Sequence, residues 1–439
     1  MTTKLEEIAA KARKETKLQF TSLCHHITRE VIWENLCHIP KDTSPGVDGV
    51  RVEEAKKDFR LWVDQMLQAM HRKSYKAPIV RRVWIPKPGK SSKRPLGVPC
   101  VADRALQRSV SQVLSCIYEQ DFLLCSFGGR PDLSAHHALA TLNEVIYAKQ
   151  VSWVLEADLK NYFGSLDHGW LLRFVEHRVG DPRILSLIRR WLKAGVFEDG
   201  QVHANETGTP QGGSISVLLS NIYLHYVLDL WFEKTIKPRL KGEAYLIRYI
   251  DDFVVCFQYR SDALRFQDVL RKRLERFSLT LEPSKTRLVE FGRFASDNAR
   301  RQGRKLETIY FLGFTHYCTT GRRGHFKVGR KTEKGRLRRS VANLRSLMQK
   351  IRHESLSNQS RRINQALRGH YAYYGLGGNL QSLQKVYRFA DRYWHRMLCS
   401  RSQKSYIRWD KFRKLKELNP LQHPRLVLPY SQMKSYVVL

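Results

Sequence analysis

The residues best suited to chemistry are Asp251 and Asp252, side by side in the run Ile247-Arg248-Tyr249-Ile250-Asp251-Asp252-Phe253-Val254-Val255. Apolar, β-branched stretches flank them at 244–250 and 253–257 and read as two strands, which puts the pair at the tight turn of a hairpin. No cation lies within three residues on their C-terminal side. Adjacent carboxylates without a local counter-charge suit a divalent cation, which takes oxygen ligands. A solvated turn, where Asp is common, explains the same residues. A third carboxylate, Asp158, ends an apolar strand expected over 151–158 and precedes Leu159-Lys160-Asn161-Tyr162-Phe163. Cations gather elsewhere: Arg81, Lys87, Lys93 and Arg94 surround a turn at Gly89, between a strand carrying Val80, Val83 and Ile85 and a second starting near Pro95. Guanidinium and ammonium groups so placed either clamp a triphosphate through charge-assisted hydrogen bonds or make a solvated basic turn.

The elements that must position these groups follow from spacing. Residues 4–71 read as mostly helical, interrupted by the loop Ser44-Pro45-Gly46-Val47-Asp48-Gly49-Val50. Helices are expected over 103–125, 134–148, 170–194, 215–232 and 261–277, with strands after 281 and around 310–314. The turn Phe127-Gly128-Gly129-Arg130-Pro131 precedes the second of these helices, and the loop Thr209-Pro210-Gln211-Gly212-Gly213-Ser214 enters the fourth. From Gly321 the character changes to long basic helices. Leu337, Val341, Leu344, Leu347 and Ile351 mark one; residues 364–374 a second; and Leu383, Tyr387, Ala390, Trp394 and Met397 a third. The last forty residues, with Pro420, Pro424 and Pro429, read as irregular.

Composition narrows the function class. Lys and Arg number 77 against 41 Asp and Glu in 439 residues, a formal charge of +36 spread along the chain, which implies a polyanionic partner, most simply nucleic acid. Eight cysteines stand far apart with no C-x-x-C pair, which argues against a zinc finger and suits reduced, buried thiols. Cys24-His25-His26 and Cys37-His38 fit no metal-ligand spacing. Residues 1–17 lack the apolar core of a signal peptide, and no stretch reaches the length of a membrane span, so a cytoplasmic protein is expected.

Six features in one order carry a resemblance. They are the GVDG loop, the IPKPG…RPLGVP hairpin, Arg130-Pro131, the strand ending at Asp158, the TPQGG loop and Tyr249-Ile250-Asp251-Asp252. The chain resembles the reverse transcriptases of bacterial group II introns and their intron-free relatives, over about 44–409. It includes Leu367-Arg368-Gly369-His370-Tyr371-Ala372-Tyr373-Tyr374-Gly375, similar to that family's thumb (maturase X) segment.

The resemblance implies an α+β, right-hand polymerase: a helical extension of the fingers over 1–75, fingers and palm with a mixed or antiparallel sheet over 76–320, a three-helix thumb over 321–400 and an irregular tail over 401–439. It implies that Asp158, Asp251 and Asp252 are catalytic and hold two Mg²⁺ or Mn²⁺ ions, assisted by the Leu159 carbonyl. Lys87 and Arg94, with Arg81 behind them, would hold the triphosphate, and Gln211 and Gly212 would lie beside the incoming nucleotide. Phe163 would be the steric gate against ribose, Leu312-Gly313 the primer grip, and Tyr249 and Ile250 would tune the primer site. Arg336, Arg338, Arg339 and Arg345 would track the duplex backbone or form a solvated helix face. The implied partners are an RNA template, a DNA template and primer, and deoxynucleoside triphosphates, with no membrane. The basic surface and N-terminal helices leave room for a homodimer over the template–primer cleft.

The departures from the family pattern are Ile250 where Ala is usual, Val217 where Pro is common and Gly129 where an aromatic is common. Tyr-Ile-Asp-Asp resembles a class encoded outside introns and associated with double-strand-break repair by microhomology-mediated end joining. In a bacterium such a protein would be cytoplasmic and nucleoid-associated when on DNA. No His/Cys-rich nuclease segment follows the thumb, which sets the expectation against a retrohoming enzyme. A splicing maturase that binds intron RNA and a phage-defence reverse transcriptase are the competing readings. No retron-type Val-Thr-Gly signature is present, which removes one defence subclass.

Overall fold

The computed structural model describes residues 3–86, 93–198, 200–204, 207–209, 213–321 and 323–439. At its centre is a four-stranded antiparallel sheet. Its spatial order is Ala244–Tyr249, Asp252–Phe257, Trp153–Asp158, Arg287–Glu290. Alternation along these strands divides the surrounding core in two, as a period of two requires. Leu155, Ala157, Leu246, Phe253 and Val255 face one buried cluster, and Val154, Ile247, Val254, Cys256 and Val289 face another. The expected α+β fold with antiparallel strands is present.

The first cluster is continuous with the N-terminal helices. Leu5, Ile32, Leu36 and Val63 share it with Leu106 and Val110 of helix Val101–Asp121 and with Leu219 and Ile222 of Ser216–Leu224. Residues 4–71 therefore pack as part of the same body as the central sheet. The expected helix over 170–194 is two helices, His168–Glu176 and Pro182–Lys193. Asp181 caps the second through the Arg183 N–H, and Pro182 occupies its first turn, a start signal that periodicity alone passes over. The expected helix over 215–232 is α-helical only to Leu224 and continues through a π-helical turn, His225–Asp229.

The basic hairpin Val80–Pro86 and Lys93–Val98 forms a separate sheet with Val196–Glu198 and Gln201–His203. The latter two strands have three residues each, and sequence spacing gives no sign of them. A three-stranded sheet, Thr308–Phe311, Phe314–Thr320 and Phe326–Thr332, packs on the second cluster. The boundary expected near Gly321 falls at the turn inside this sheet, where the Gly321 N–H donates to the His325 carbonyl.

Three helices follow: Lys334–Ile351, Leu356–Tyr374 and Leu380–Cys399. They close on Leu344, Met348, Ile363, Leu367, Leu383, Val386 and Trp394. The last forty residues differ from the irregular segment expected. Helix Trp409–Leu418 inserts Phe412 into the three-helix core. The chain then returns to the second cluster's side, where Leu428 pairs with Leu376 and Met433 packs near Ala140.

Candidate active site

The three aspartates meet at one end of the central sheet. Strand register places Asp158 directly opposite Asp252, and Tyr249 opposite Asp252 across a two-residue turn made of Ile250 and Asp251. Like charges directly opposite on one sheet face are destabilising. The consequence appears in their titration: burial, then Asp158 and Asp251, push the Asp252 carboxyl up to about 7. Asp251 is raised as well, by burial and by Asp158, against its own backbone N–H.

Two groups oppose the repulsion. Lys285, in the 3₁₀ turn Pro283–Lys285, places its ammonium on the Asp158 carboxylate. Burial works against the Lys285 charge, but Asp158 and Asp252 outweigh it and raise its pKa. The turn is tied down by the Glu282 N–H donating to the Asp158 carbonyl at 2.8 Å. The Leu312 N–H donates to Asp252 and favours its charged form. As the side chains stand, no three His, Cys, Asp or Glu groups among the described residues converge on a single point. Asp158 is engaged by Lys285 instead. A half-buried trio of carboxylates that needs a cation to ionise fully is the donor set a hard divalent ion takes.

Beneath the turn lies a buried charge pair that sequence reasoning did not single out. Arg248 and Asp229 are both fully buried and joined by two hydrogen bonds, 2.8 and 2.6 Å. Arg248 also donates to Ser126 Oγ at 2.7 Å, Asn221 Oδ1 at 2.9 Å and the Ile250 carbonyl at 2.9 Å. The π-helical turn brings Asp229 to this position. Ile250, which that carbonyl anchors, has φ 58°, a left-handed conformation that β-branched residues rarely adopt. Gly128 makes room for it: a Cβ there would lie 2.6 Å from Ile250 Cγ1. The signal was available, since Arg248 is a lone charge in an apolar strand and Asp229 a lone acid in an apolar helix.

The departures at Gly129 and Val217 prove to be neighbours. A Cβ on Gly129, whose φ is 71°, would fall 2.2 Å from Val217 Cγ1. Arg130 is an internal anchor, donating to Glu119 and to the Leu123 and Ser126 carbonyls.

Leu159 follows Asp158 at the sheet end with its side chain in the core. Phe163 is half-buried in the short helix Tyr162–Ser165. Its carbonyl accepts the Thr209 N–H at 2.8 Å, and a Cβ on Gly208 would lie 2.5 Å from that oxygen, so the 207–209 loop lies directly on Phe163. Gln211 and Gly212, at the continuation of that loop, and Lys87 lie outside the described residues. Arg94 is near enough to Asp251 to favour its ionised form. Arg81 is turned inward and donates to the Pro45 carbonyl at 2.7 and 3.2 Å, holding the GVDG loop.

Leu312 and Gly313 form a two-residue turn with φ 48° and 79°, the pair of positive values a type I′ turn requires. The turn reaches Asp252 through its N–H, and the Leu312 carbonyl accepts the Tyr373 hydroxyl at 3.0 Å. It thereby links the aspartates to helix Leu356–Tyr374. Beside this junction, burial raises the pKa of the Tyr374 hydroxyl, and the nearby Arg336 and Arg339 only partly offset it. Arg345 stacks over Phe389 and Tyr393 of the adjacent helix, and Arg338 is exposed.

The profile of the family described as reverse transcriptase (RNA-dependent DNA polymerase) matches residues 85–316. The chain is 34% identical over 239 residues to the group II intron-encoded protein LtrA of Lactococcus lactis subsp. cremoris, covering 52% of this chain and 38% of that protein. It is 29% identical over 339 residues to protein YkfC of Escherichia coli (strain K12), covering 70% and 85%. Nuclear intron maturase 3, mitochondrial, of Arabidopsis thaliana is 22% identical over 205 residues, 41% of this chain and 28% of the other. No helix among the described residues is long and apolar enough to cross a membrane.

Proposed function

Because the chain belongs to the reverse transcriptase family, with a right-hand polymerase fold, we propose that it is a templated DNA polymerase whose reacting centre is Asp158, Asp251 and Asp252. The observation that carries this is the register: Asp158 faces Asp252 across two central strands, and Asp251 sits in the turn beside them. Two Mg²⁺ or Mn²⁺ ions held by these carboxylates and the Leu159 carbonyl would supply Lewis acidity to the phosphates and a more acidic primer 3′-hydroxyl.

The chain's own residues do the rest. Lys285 neutralises Asp158, and its ammonium is a cation that can be handed over to phosphate oxygens. Arg94, with Lys87, contacts the triphosphate, while Arg81 holds the loop behind them. Phe163, under the 207–209 loop that leads to Gln211 and Gly212, excludes the ribose 2′-hydroxyl. Leu312-Gly313 and Tyr249 seat the primer end, and Arg336, Arg338 and Arg339 follow the duplex backbone. Arg345 supports the neighbouring helix.

Ile250 adds a rigid, branched side chain beside the primer end, held there by Arg248 and Gly128. On that ground the reading extends to the repair role: annealing of short complementary 3′ overhangs and their extension, with both RNA and DNA as templates. The relatives named for introns support a second reading, an intron reverse transcriptase or maturase.

One experiment separates them. The purified protein is given primed RNA, primed DNA and duplexes with short complementary 3′ overhangs, each with Mg²⁺ or Mn²⁺. Extension of the overhangs that falls when Ile250 is changed to Ala supports the repair role. Extension of primed RNA alone contradicts it, and tight RNA binding with no incorporation moves the assignment to the maturase.

A further inference from the structure

The far end of the central sheet carries a second feature unrelated to the aspartates. Where Trp153 begins its strand, about 17 Å from Asp158 at the rise of an extended strand, the surface opens into a groove of about 1060 Å³. One wall is the segment after Phe257, with Tyr259 and Arg260; the other is the connection between Arg287–Glu290 and Thr308–Phe311, with Arg293 and Phe294. From the placement of these residues we infer that this groove binds an unpaired stretch of nucleic acid, holding it away from the reacting centre.

The chemistry of the lining argues for that ligand. Large aromatic side chains normally bury themselves, yet Tyr259 is 46% exposed and Phe294 58% exposed, both at this groove. Trp153 lies in the floor with the Arg260 guanidinium 5.4 Å above its ring. Rings open to solvent beside guanidinium groups form a stacking platform for bases, with cations placed for phosphates.

The charges divide in the same sense. Of the two acids that line the groove, Glu290 is paired with Arg304 and accepts from Asn298 Nδ2 at 2.6 Å, and the other is Glu307. Arg293 donates to the Tyr147 carbonyl at 3.1 Å, and Arg260 meets a ring, so neither of these contacts is to an acid. In the same connection Arg300, Arg301 and Lys305 are exposed, Arg300 lying 3.9 Å from Asp297.

The size and shape select among nucleic-acid ligands. A duplex keeps its bases stacked inside and presents none to Tyr259 or Phe294. The volume is at the top of the range a drug-sized ligand fills, about 300–1,000 Å³, so a single nucleotide would leave part of it empty. An unpaired strand, DNA or RNA, uses both the rings and the guanidinium groups.

The test uses the full chain with its cleft saturated by unlabelled primer–template. Short oligothymidylate carrying 4-thiothymidine and the same length of oligouridylate carrying 4-thiouridine are cross-linked in parallel, each alone and in competition with thymidine triphosphate or with the unlabelled oligonucleotide, and the peptides are identified by mass spectrometry. The expected result is cross-links to peptides containing Tyr259 or Phe294 with one or both oligonucleotides. Arg293→Ala combined with Phe294→Ala should weaken oligonucleotide binding about five- to a hundredfold by anisotropy, the loss of one stacked base and one cation. Arg260→Ala gives an independent variant on the opposite wall, and unchanged thermal melting of each shows that folding is not the cause. Cross-links confined to peptides around Asp158 and Asp251, unchanged affinity in both variants, or the triphosphate competing as well as the oligonucleotides would overturn the inference. Failure here leaves the polymerase reading untouched, because that reading is scored by incorporation and this one is not.

Discussion

The two ends of the central sheet are built on opposite principles. At one end, Asp158, Asp251 and Asp252 are crowded, half-buried and mutually repelling, and every backbone feature around them is over-determined. Arg248 anchors the Ile250 carbonyl, Gly128 accommodates its side chain, Leu312 donates to Asp252, and Lys285 covers Asp158. At the other end, the Tyr259 and Phe294 rings stand open to solvent, and the Arg293 and Arg260 guanidinium groups meet a carbonyl and a ring. Precise placement of charge requires support that gives up stability, whereas a stacking surface tolerates freedom because every base has a flat face.

Substitutions sharpen the contrast. The largest effect is expected from Asp251→Asn. Losing one carboxylate of a metal-holding set removes several kcal/mol of transition-state stabilisation, so single-turnover incorporation should fall about a thousandfold or more. The melting temperature should rise at the same time, because a like-charge contact is removed; a fall would show that Asp251 is structural.

Arg248→Met comes next. It strands the buried Asp229 carboxylate and should destabilise the protein by about 3–5 kcal/mol in denaturant titration. Adding Asp229→Leu should restore most of that stability but not the anchor on the Ile250 carbonyl, so incorporation should stay depressed. Full recovery of activity in the double variant would mean that the turn does not need its anchor.

The third expectation is a pH dependence. With the Asp252 carboxyl raised to about 7, the folded protein carries a proton there that the unfolded chain has lost above the ordinary Asp range. Stability without divalent metal should therefore fall as pH rises from about 4 to 7. Divalent metal should reverse the trend, with its stabilising shift in melting temperature growing as pH rises through 7. Asp252→Asn should flatten both slopes. The smallest effect belongs to the far end, where Phe294→Ala should change stability by no more than about 0.5 kcal/mol in the same titration.

What could be read from the sequence was whatever is local. The hairpin with its two aspartates was visible because β-branched runs on both sides leave a polar pair nowhere but the turn. Asp158 was visible because it closes an apolar run. The partners that make these residues a site were not, since Arg248 and Asp229 are 19 residues apart and Lys285 and Asp158 are 127 apart. Charge pairing over such distances has no periodic signature. Arg81 shares a face of the hairpin with Arg94, yet its guanidinium is taken up by the Pro45 carbonyl, a contact 36 residues away that no local pattern announces. The helix in the last forty residues was hidden by the prolines that follow it, because Phe412 is its one fully buried anchor.

The most direct measurement is single-nucleotide incorporation on a primed RNA template, comparing the unchanged protein with Asp251→Asn and with Asp158→Asn, each checked for its fold by circular dichroism. Incorporation by the unchanged protein that both folded variants lose is the predicted result. Incorporation that survives in either variant would contradict the assignment of the three aspartates as the reacting centre.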